Sequence, residues 1–344
     1  MRCRILLTKL TNKEQVTGYS KKGLLYLTND AHFNPLLPFS RHDFTTEMPI
    51  KQQGMSISGY QPKLQLAIEN QQFQSIQYQG SYILKPSPTD YPYLAENEHA
   101  TMCVMAKLGF DVPANGLVTF QREQQDEKPE FAFVIKRFDR TEDGMPIHQE
   151  QLDGAMNIAE KYGKIGTDNE QYISYESAVK FILNHTENNL AQQQELFRRI
   201  VYAYLLGNND LHLRNFSLIY SKTGKIRLAP IYDFVSVSPY SLTFQSAILA
   251  LPLLAKEEGG KELAHGFTTK YGEYIGQDFV EFGENIGLNR KVILQKILPK
   301  IHQEQALVEE IYADSFMPDE HKAAVLGTYR QRLKYLTVLD EVAL

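Results

Sequence analysis

The 344-residue sequence predicts an α+β molecule of two lobes, a β-rich N-terminal lobe over 1–137 and a mostly helical C-terminal lobe over 138–344. Three observations lead there. Short runs of strand character crowd the stretch from 63 to 137, strand character nearly vanishes after 140, and longer apolar periodicities of helical type take its place. A cleft between two such lobes is a usual ligand site.

The elements follow in order. Lys63-Leu-Gln-Leu-Ala-Ile-Glu69 alternates apolar and polar residues with period two, as a half-buried strand does. Gln72 to Tyr78 alternates again, and Ser81-Tyr-Ile-Leu-Lys85 is a third strand, stopped by Pro86-Ser-Pro88. Ala95 to Leu108 sets Met102, Met105 and Leu108 at helical spacing, with Gly109 behind them as a stop. Gly116 to Gln121 and Phe131 to Arg137 read as a hairpin with a polar connection. In the second half, Ser174 caps a helix running to about Asn188, and Gln192 to Gly207 is a second, strongly apolar one. One short hairpin interrupts, Ser217 to Ser221 and Lys225 to Ala229 around Lys222-Thr-Gly224. The tail from Lys256 reads as helical to the end.

Composition narrows the function. Lysine plus arginine number 36 against 41 aspartates and glutamates, a formal charge of −5. A protein whose main work is gripping nucleic-acid backbone needs a basic surplus, and so does an electrostatic membrane anchor. With 43% hydrophobic and 22% charged residues the chain is of the globular class. Two cysteines, Cys3 and Cys103, make no disulfide framework and point to a reducing compartment. The first residues lack a signal peptide's apolar core, and the longest apolar run, Ala247 to Ala255, contains Pro252. The expectation is a soluble, cytoplasmic protein.

The informative segment is Gly207-Asn-Asn-Asp210-Leu-His-Leu-Arg-Asn215-Phe, followed after the hairpin by Ala229-Pro-Ile-Tyr-Asp233-Phe. Phosphoryl transfer needs one carboxylate to orient and deprotonate an attacking hydroxyl, and a few oxygen ligands for Mg²⁺. Asp-x-x-x-x-Asn, a hairpin, then Asp-Phe matches the catalytic-loop and metal-loop order of protein kinases. Asp210 then faces the hydroxyl, while Asn215 and Asp233 hold the metal. Alone, Asn208-Asn209-Asp210 also reads as a plain turn; the ordered array is what lifts it above that.

The phosphate end is less distinctive. Gly54-Met-Ser-Ile-Ser-Gly59-Tyr-Gln-Pro-Lys63 has small residues that let backbone N–H groups meet an anion, with a lysine near, but Tyr60 stands where a Walker A loop has its lysine. Lys85 ends a strand of the same lobe, and Glu96 or Glu98 at the start of the next helix could pair with it; Glu98 is favoured. His212 reads either as a satisfied loop histidine or as a residue at the phosphates. The other histidines show no metal-ligand spacing.

Seven ordered segments carry a family likeness. Ser56-Ile-Ser-Gly-Tyr-Gln-Pro-Lys63, Ile83-Leu-Lys-Pro86, Asn97-Glu-His99, Val134-Ile-Lys-Arg-Phe-Asp-Arg140, Gln149-Glu-Gln151, Asn209-Asp-Leu-His-Leu-Arg-Asn-Phe216 and Ala229-Pro-Ile-Tyr-Asp233 resemble the HipA family of bacterial serine/threonine kinase toxins. Glu96-Asn-Glu-His-Ala-Thr101 and Phe197-Arg-Arg-Ile-Val-Tyr-Ala203 resemble its short HipT members, toxins of tripartite HipBST-type systems.

The resemblance implies a protein-kinase-like fold with ATP as donor and Mg²⁺ as metal. Ser58, Gly59, Tyr60, Gln61 and Lys63 would form the phosphate loop (54–63), and Lys85 would contact phosphates. Lys136, Arg137 and Phe138 would be the hinge at adenine, and His212 would touch ATP. Asp210, in a catalytic loop over 208–216, would be the catalytic base; Asn215 and Asp233, the latter in a metal loop over 230–235, would hold Mg²⁺. Ser56, with Ser58 beside it, would be autophosphorylated, adding about −1.5 to −2 charge where the nucleotide's phosphates sit. The implied substrate is an aminoacyl-tRNA synthetase, tryptophanyl for the short members. The implied partners are a small HipS-like antitoxin supplying a missing N-terminal subdomain and a HipB-like DNA-binding protein.

Two departures stand out. Asn208-Asn209 replaces the His-Arg that precedes the aspartate in eukaryotic-type kinases, and Val235 occupies the third place of Asp-Phe-Gly. Two rival readings remain at the sequence level. Asp210-Leu-His212-Leu-Arg-Asn215 also fits the Asp-x-His-x-x-Asn pattern of phosphatidylinositol kinases, and a catalytically silent pseudokinase would need one of Asp210, Asn215, Asp233 or Lys85 to be lost.

Overall fold

The structure is a computed structural model, and it describes residues 1–46, 62–124, 126, 128–240 and 247–339. The expected phosphate-loop residues Ser56, Ser58, Gly59, Tyr60 and Gln61 lie outside the described residues. The chain divides into two compact units, Met1–Ile147 with Glu310–Pro318, and His148–Glu309 with Asp319–Leu344. The expected border at 137 falls inside the first unit.

The first unit is built on a six-stranded sheet of order β1-β5-β6-β4-β2-β3. The strands are β1 (Leu36–Ser40), β2 (Leu64–Glu69), β3 (Gln72–Ser75), β4 (Tyr82–Pro86), β5 (Asn115–Gln121) and β6 (Phe131–Lys136). β2 and β3 form a tight hairpin because Asn70 and Gln71 both take left-handed backbone (φ 49° and 59°), the geometry that matches strand twist across a two-residue turn. β4, β5 and β6 pair antiparallel in register Lys85↔Phe133 and Leu117↔Phe133. β6 reads as an unbroken apolar run, Phe-Ala-Phe-Val-Ile, because both faces of the central strand are covered.

Helices α1 (Lys21–Thr28), α2 (Arg41–Thr46) and α3 (Leu94–Lys107) complete the unit, with α3 packed across β5 and β6. β1 and α2 lie upstream of Lys63, where the sequence carries no strand alternation; β1 pairs parallel with β5. The core gathers Cys3, Ile5, Leu27, Phe33, Leu37, Phe39, Leu66, Phe73, Leu84 and Val134. The 310–318 segment belongs here because Tyr312 shares a hydrogen bond with Thr101 (3.0 Å) and Asp314 pairs with Arg2 (2.7 Å).

The second unit opens on β7 (Gln149–Gln151) and α4 (Leu152–Ala155), then α5 (Tyr175–His185) and α6 (Leu190–Leu205). Ser174 and Asn189 cap the latter two through hydrogen bonds from Ser177 N (3.1 Å) and Gln192 N (2.9 Å). β8 (Ser217–Tyr220) and β9 (Ile226–Leu228) form the expected hairpin, but it is not alone: β7 adds antiparallel to β8 as a third strand. Three residues are too few to show period two in a sequence.

The tail corrects a second expectation. Residues 255–268 are not regular helix: Gly259 and Gly260 take φ of 70° and 64°, which breaks the segment into short 3₁₀ pieces. Regular helix resumes at α7 (Gly276–Asn285) and continues as α8 (Arg290–Val292), a π-turn over Ile293–Ile297, α9 (Leu298–Gln303), α10 (Gln305–Asp314) and α11 (Asp319–Tyr335). No helix among the described residues is long and apolar enough to cross a membrane.

Candidate active site

The Asp210 segment is delivered by the way α6 ends. Gly207 takes φ 69°, Gly207 N–H donates to Tyr204 O (3.1 Å) and Asn208 N–H to Ala203 O (2.8 Å), a Schellman cap that stops the helix sharply. Only a residue at ease with positive φ fits, and a Cβ at 207 would collide with Ser238 Oγ. Asn208 is fully buried; its Oδ1 accepts from Asp210 N–H (3.2 Å), and Asn209 Nδ2 donates to Ala247 O (3.0 Å). The two asparagines that replace His-Arg therefore tie the loop down locally.

From there the chain makes a 3₁₀ turn over Leu213–Asn215 and enters β8. Arg214 Nε donates to Asp153 Oδ2 on α4 (2.6 Å), and Leu152 N–H to Phe216 O (3.0 Å), so β7 and α4 brace the loop. After β9 the chain returns, and Asn215 Nδ2 donates to the Asp233 carbonyl (3.0 Å) across 18 residues. Asp233 itself has φ 54°, an unusual backbone for a residue other than glycine. The expected trio Asp210, Asn215 and Asp233 thus sits on one braced loop pair of the second unit.

The carboxylate of Asp210 is one-third exposed. Tyr162 O–H donates to its Oδ1 at 2.8 Å, with His212 Nε2 at 3.8 Å and Lys161 Nζ at 4.0 Å from the same oxygen. The His212 ring meets Tyr162 edge-on at 5.4 Å. Burial pushes the His212 imidazole below its ordinary value, with Asp210 pulling the other way. Sequence reasoning missed Lys161 and Tyr162. Their signal is faint: a Lys-Tyr-Gly in a polar stretch, with Gly163 at φ 70°.

A pocket of about 300 Å³ opens beside this loop, lined by Tyr162, Lys164, Asn169, Gln171, Asn209, Ala247 and Ala250. No cluster of three or more His, Cys, Asp or Glu forms a metal site among the described residues. Asn215 and Asp233 nevertheless suit Mg²⁺, which takes one or two hard oxygen side chains and completes its shell with waters and phosphates. Asn215 Oδ1 is buried without a hydrogen-bond partner among the described residues while its Nδ2 is anchored on the Asp233 backbone, so an acceptor oxygen is held fixed and open.

In the first unit, Lys85 Nζ meets Glu98 Oε1 at 2.6 Å, both side chains 5% exposed or less, and lies 5.7 Å from the Phe133 ring. The choice between Glu96 and Glu98 is thereby decided in favour of Glu98. Glu96 is buried too, with Ser87 Oγ at 3.5 Å as its side-chain partner, and burial pushes its carboxyl up to about 7. At the expected hinge, Lys136 N–H donates to Ala114 O and Arg137 N–H to Ser81 O (both 2.8 Å), so these two amides are spent inside the unit. Arg137 clasps Asp139 through Nε and Nη2 (2.9 and 2.6 Å), and Phe138 follows β6. Lys63 directly precedes β2.

A β-rich unit with a buried lysine–glutamate pair and a helical unit carrying Asp-x-x-x-x-Asn and Asp-Phe define a protein-kinase-like α+β fold of two lobes. Two solved structures share it. One is the complex of the Shewanella oneidensis toxin HipA with HipB and operator DNA (TM-score 0.62, 24% identity, 84% of this chain and 66% of that one). The other is the Helicobacter pylori proinflammatory kinase CtkA (TM-score 0.52, 18% identity, 84% and 91%). Residues 55–307 match the HipA-like C-terminal domain family, and the chain belongs to it. It is 67% identical over 339 residues to a Haemophilus influenzae protein named "Putative kinase", covering 98% of each. It is 23% identical to the serine/threonine-protein kinase toxin HipA of Shewanella oneidensis, over 84% of this chain and 65% of that protein.

Proposed function

We propose that this chain is a Mg²⁺- and ATP-dependent serine/threonine protein kinase acting as the toxin of a toxin–antitoxin system. The observation that carries the reading is the loop pair in which Asp210 keeps a carboxylate one-third exposed while Asn215, anchored through Nδ2 on the Asp233 carbonyl, keeps a buried Oδ1 without a hydrogen bond among the described residues. Asp210 orients the acceptor hydroxyl and takes its proton; the oxygen bonds the γ-phosphorus as the bridging P–O bond breaks and ADP leaves. Asn215 and Asp233 would hold Mg²⁺, which neutralises phosphate charge when bound. Lys85, kept in place by Glu98, and Lys63 would meet the nucleotide's phosphates; His212, neutral where burial holds it, would lie near them. The hinge residues Lys136, Arg137 and Phe138 would meet adenine through groups other than the Lys136 and Arg137 amides, which are spent inside the unit.

The proposed acceptor is an aminoacyl-tRNA synthetase, tryptophanyl first, whose phosphorylation stops tRNA charging and growth. Support is the family membership together with the resemblance to the short HipT members. Autophosphorylation at Ser56 or Ser58 would put negative charge where the donor's phosphates bind and lower activity. A HipB-like DNA-binding protein and a small HipS-like antitoxin are the proposed partners; the HipA relative above is itself seen with HipB and operator DNA.

The test is labelled ATP with Mg²⁺, offered purified tryptophanyl-tRNA synthetase, a bacterial lysate and a lipid extract, for wild type and Asp210→Asn. One labelled protein band that vanishes in the variant is expected. Label in the lipid arm alone would move the protein to the small-molecule kinases, and equal labelling by both chains would refute the reading.

A further inference from the structure

We infer that Tyr162 is a positioning residue for Asp210, and that it selects which carboxylate oxygen receives the acceptor proton. This rests on the kinase reading above. Three groups converge on one oxygen: the Tyr162 hydroxyl at 2.8 Å, His212 Nε2 at 3.8 Å and Lys161 Nζ at 4.0 Å all address Asp210 Oδ1. Oδ2 carries no hydrogen bond or ion pair among the described residues. A carboxylate held at one oxygen by a short charge-assisted bond cannot spin about its χ2, so the second oxygen is presented in one direction.

The tyrosine is itself fixed. Tyr162 N–H donates to Glu160 Oε2 (2.8 Å), and Tyr162 O accepts from Gln171 Nε2 (3.2 Å), whose amide also reaches Ala250 O (2.7 Å). Lys161 O accepts from Leu213 N–H (3.0 Å), which locks the 160–164 segment to the catalytic loop, and the Lys161 ammonium lies 4.7 Å from the Tyr162 ring. Gly163 makes the turn that allows this: its φ is 70°, and a Cβ there would stand 2.7 Å from Ile173 Cβ. The same ring walls the pocket of about 300 Å³ that also reaches Asn209, the neighbour of Asp210. Tyr162 therefore stands on the side of the loop open to an acceptor segment, with its hydroxyl turned to the base.

The experiment compares wild type, Tyr162→Phe and Asp210→Asn as full chains, reading label transfer from ATP into the proteins of a bacterial lysate at varied ATP, and the melting temperature of each. Phenylalanine keeps the ring, its wall of the pocket and its contacts with Lys161 and His212, and removes only the hydroxyl. A hydrogen bond to a charged group predicts that kcat falls about tenfold to a hundredfold, with KM for ATP within about twofold and the melting temperature unchanged. Wild-type kcat in Tyr162→Phe, with Asp210→Asn inactive, overturns the role of Tyr162 and leaves the kinase reading standing. A lowered melting temperature with raised KM also overturns it, since Tyr162 would then be plain scaffold. Equal transfer by wild type and Asp210→Asn overturns the kinase reading and this inference together.

Discussion

Lys85 and Glu98 face each other at 2.6 Å with almost no exposure, whereas Asp210 keeps a third of its side chain in water and Asn215 hides an oxygen without a hydrogen bond among the described residues. Both regions are charged and polar, and both stand on rigid elements: β4 and α3 in one unit, the end of α6 and the β8–β9 hairpin in the other. In the first, the two charges already meet each other. The second leaves valences open. A buried ion pair costs desolvation that only a matched partner offsets, so its parts are bound to the fold itself. An unsatisfied buried acceptor costs stability with no return among the described residues, and in this loop pair it is the oxygen proposed for Mg²⁺.

If the contrast is right, substitutions in the two regions fail in different ways. Asp210→Asn should give the largest effect, a loss of transfer of about 10²–10⁴-fold with an unchanged melting temperature. A melting shift of several degrees would show that the open loop is structural after all. Glu98→Gln should act through stability first, removing the buried carboxylate that faces the Lys85 ammonium at 2.6 Å, at a cost of about 3–5 kcal/mol, read as a lowered urea midpoint. An unmoved midpoint would mean the pair is no more closed than the loop.

Gly207→Ala sharpens the comparison from the scaffold side. Positive φ and the collision with Ser238 should cost about 1–3 kcal/mol in urea unfolding, and activity should fall because the cap aims Asp210. The smallest effect belongs to Glu96, a buried carboxyl whose side-chain partner is a serine rather than a cation. With its folded value raised from 4.5 to about 7, the native chain holds a proton that the unfolded chain has lost. Stability is therefore full below about pH 4.5 and is lost as pH rises through 7. Glu96→Gln should flatten that slope, gaining on the order of 1–2 kcal/mol relative to wild type at pH 8 and little at pH 4.5, in paired denaturant titrations.

Much of this was legible in one dimension, and what was legible is local. Ser174 and Gly207 announce helix ends because capping is decided within four residues, and Lys63 to Lys85 announce strands because pleating repeats every two. Asp210, Asn215 and Asp233 stand out because the chemistry proposed for them constrains their order along the chain, and the fold brings them onto one loop pair. β1, by contrast, pairs parallel with a strand some eighty residues on, and β7 is three residues long, so neither leaves a periodic trace. The tail misled because Gly259 and Gly260, both at positive φ, break it where the reading from Lys256 ran on as helix.

The sequence by itself determined the fold class, most of the succession of elements and the groups proposed to orient a hydroxyl or bind a metal. The tertiary structure decided which of them meet. Glu96 and Glu98 are both plausible partners for Lys85 on paper, and two residues on a helix point about 200° apart, so only the docking of α3 on the sheet selects Glu98. Tyr162 reaches Asp210 across 48 residues of chain, a closure whose entropy is met by the packing around it and not by any nearby residue. Contacts of that range have no local code, and they are where Asp210 acquires its direction.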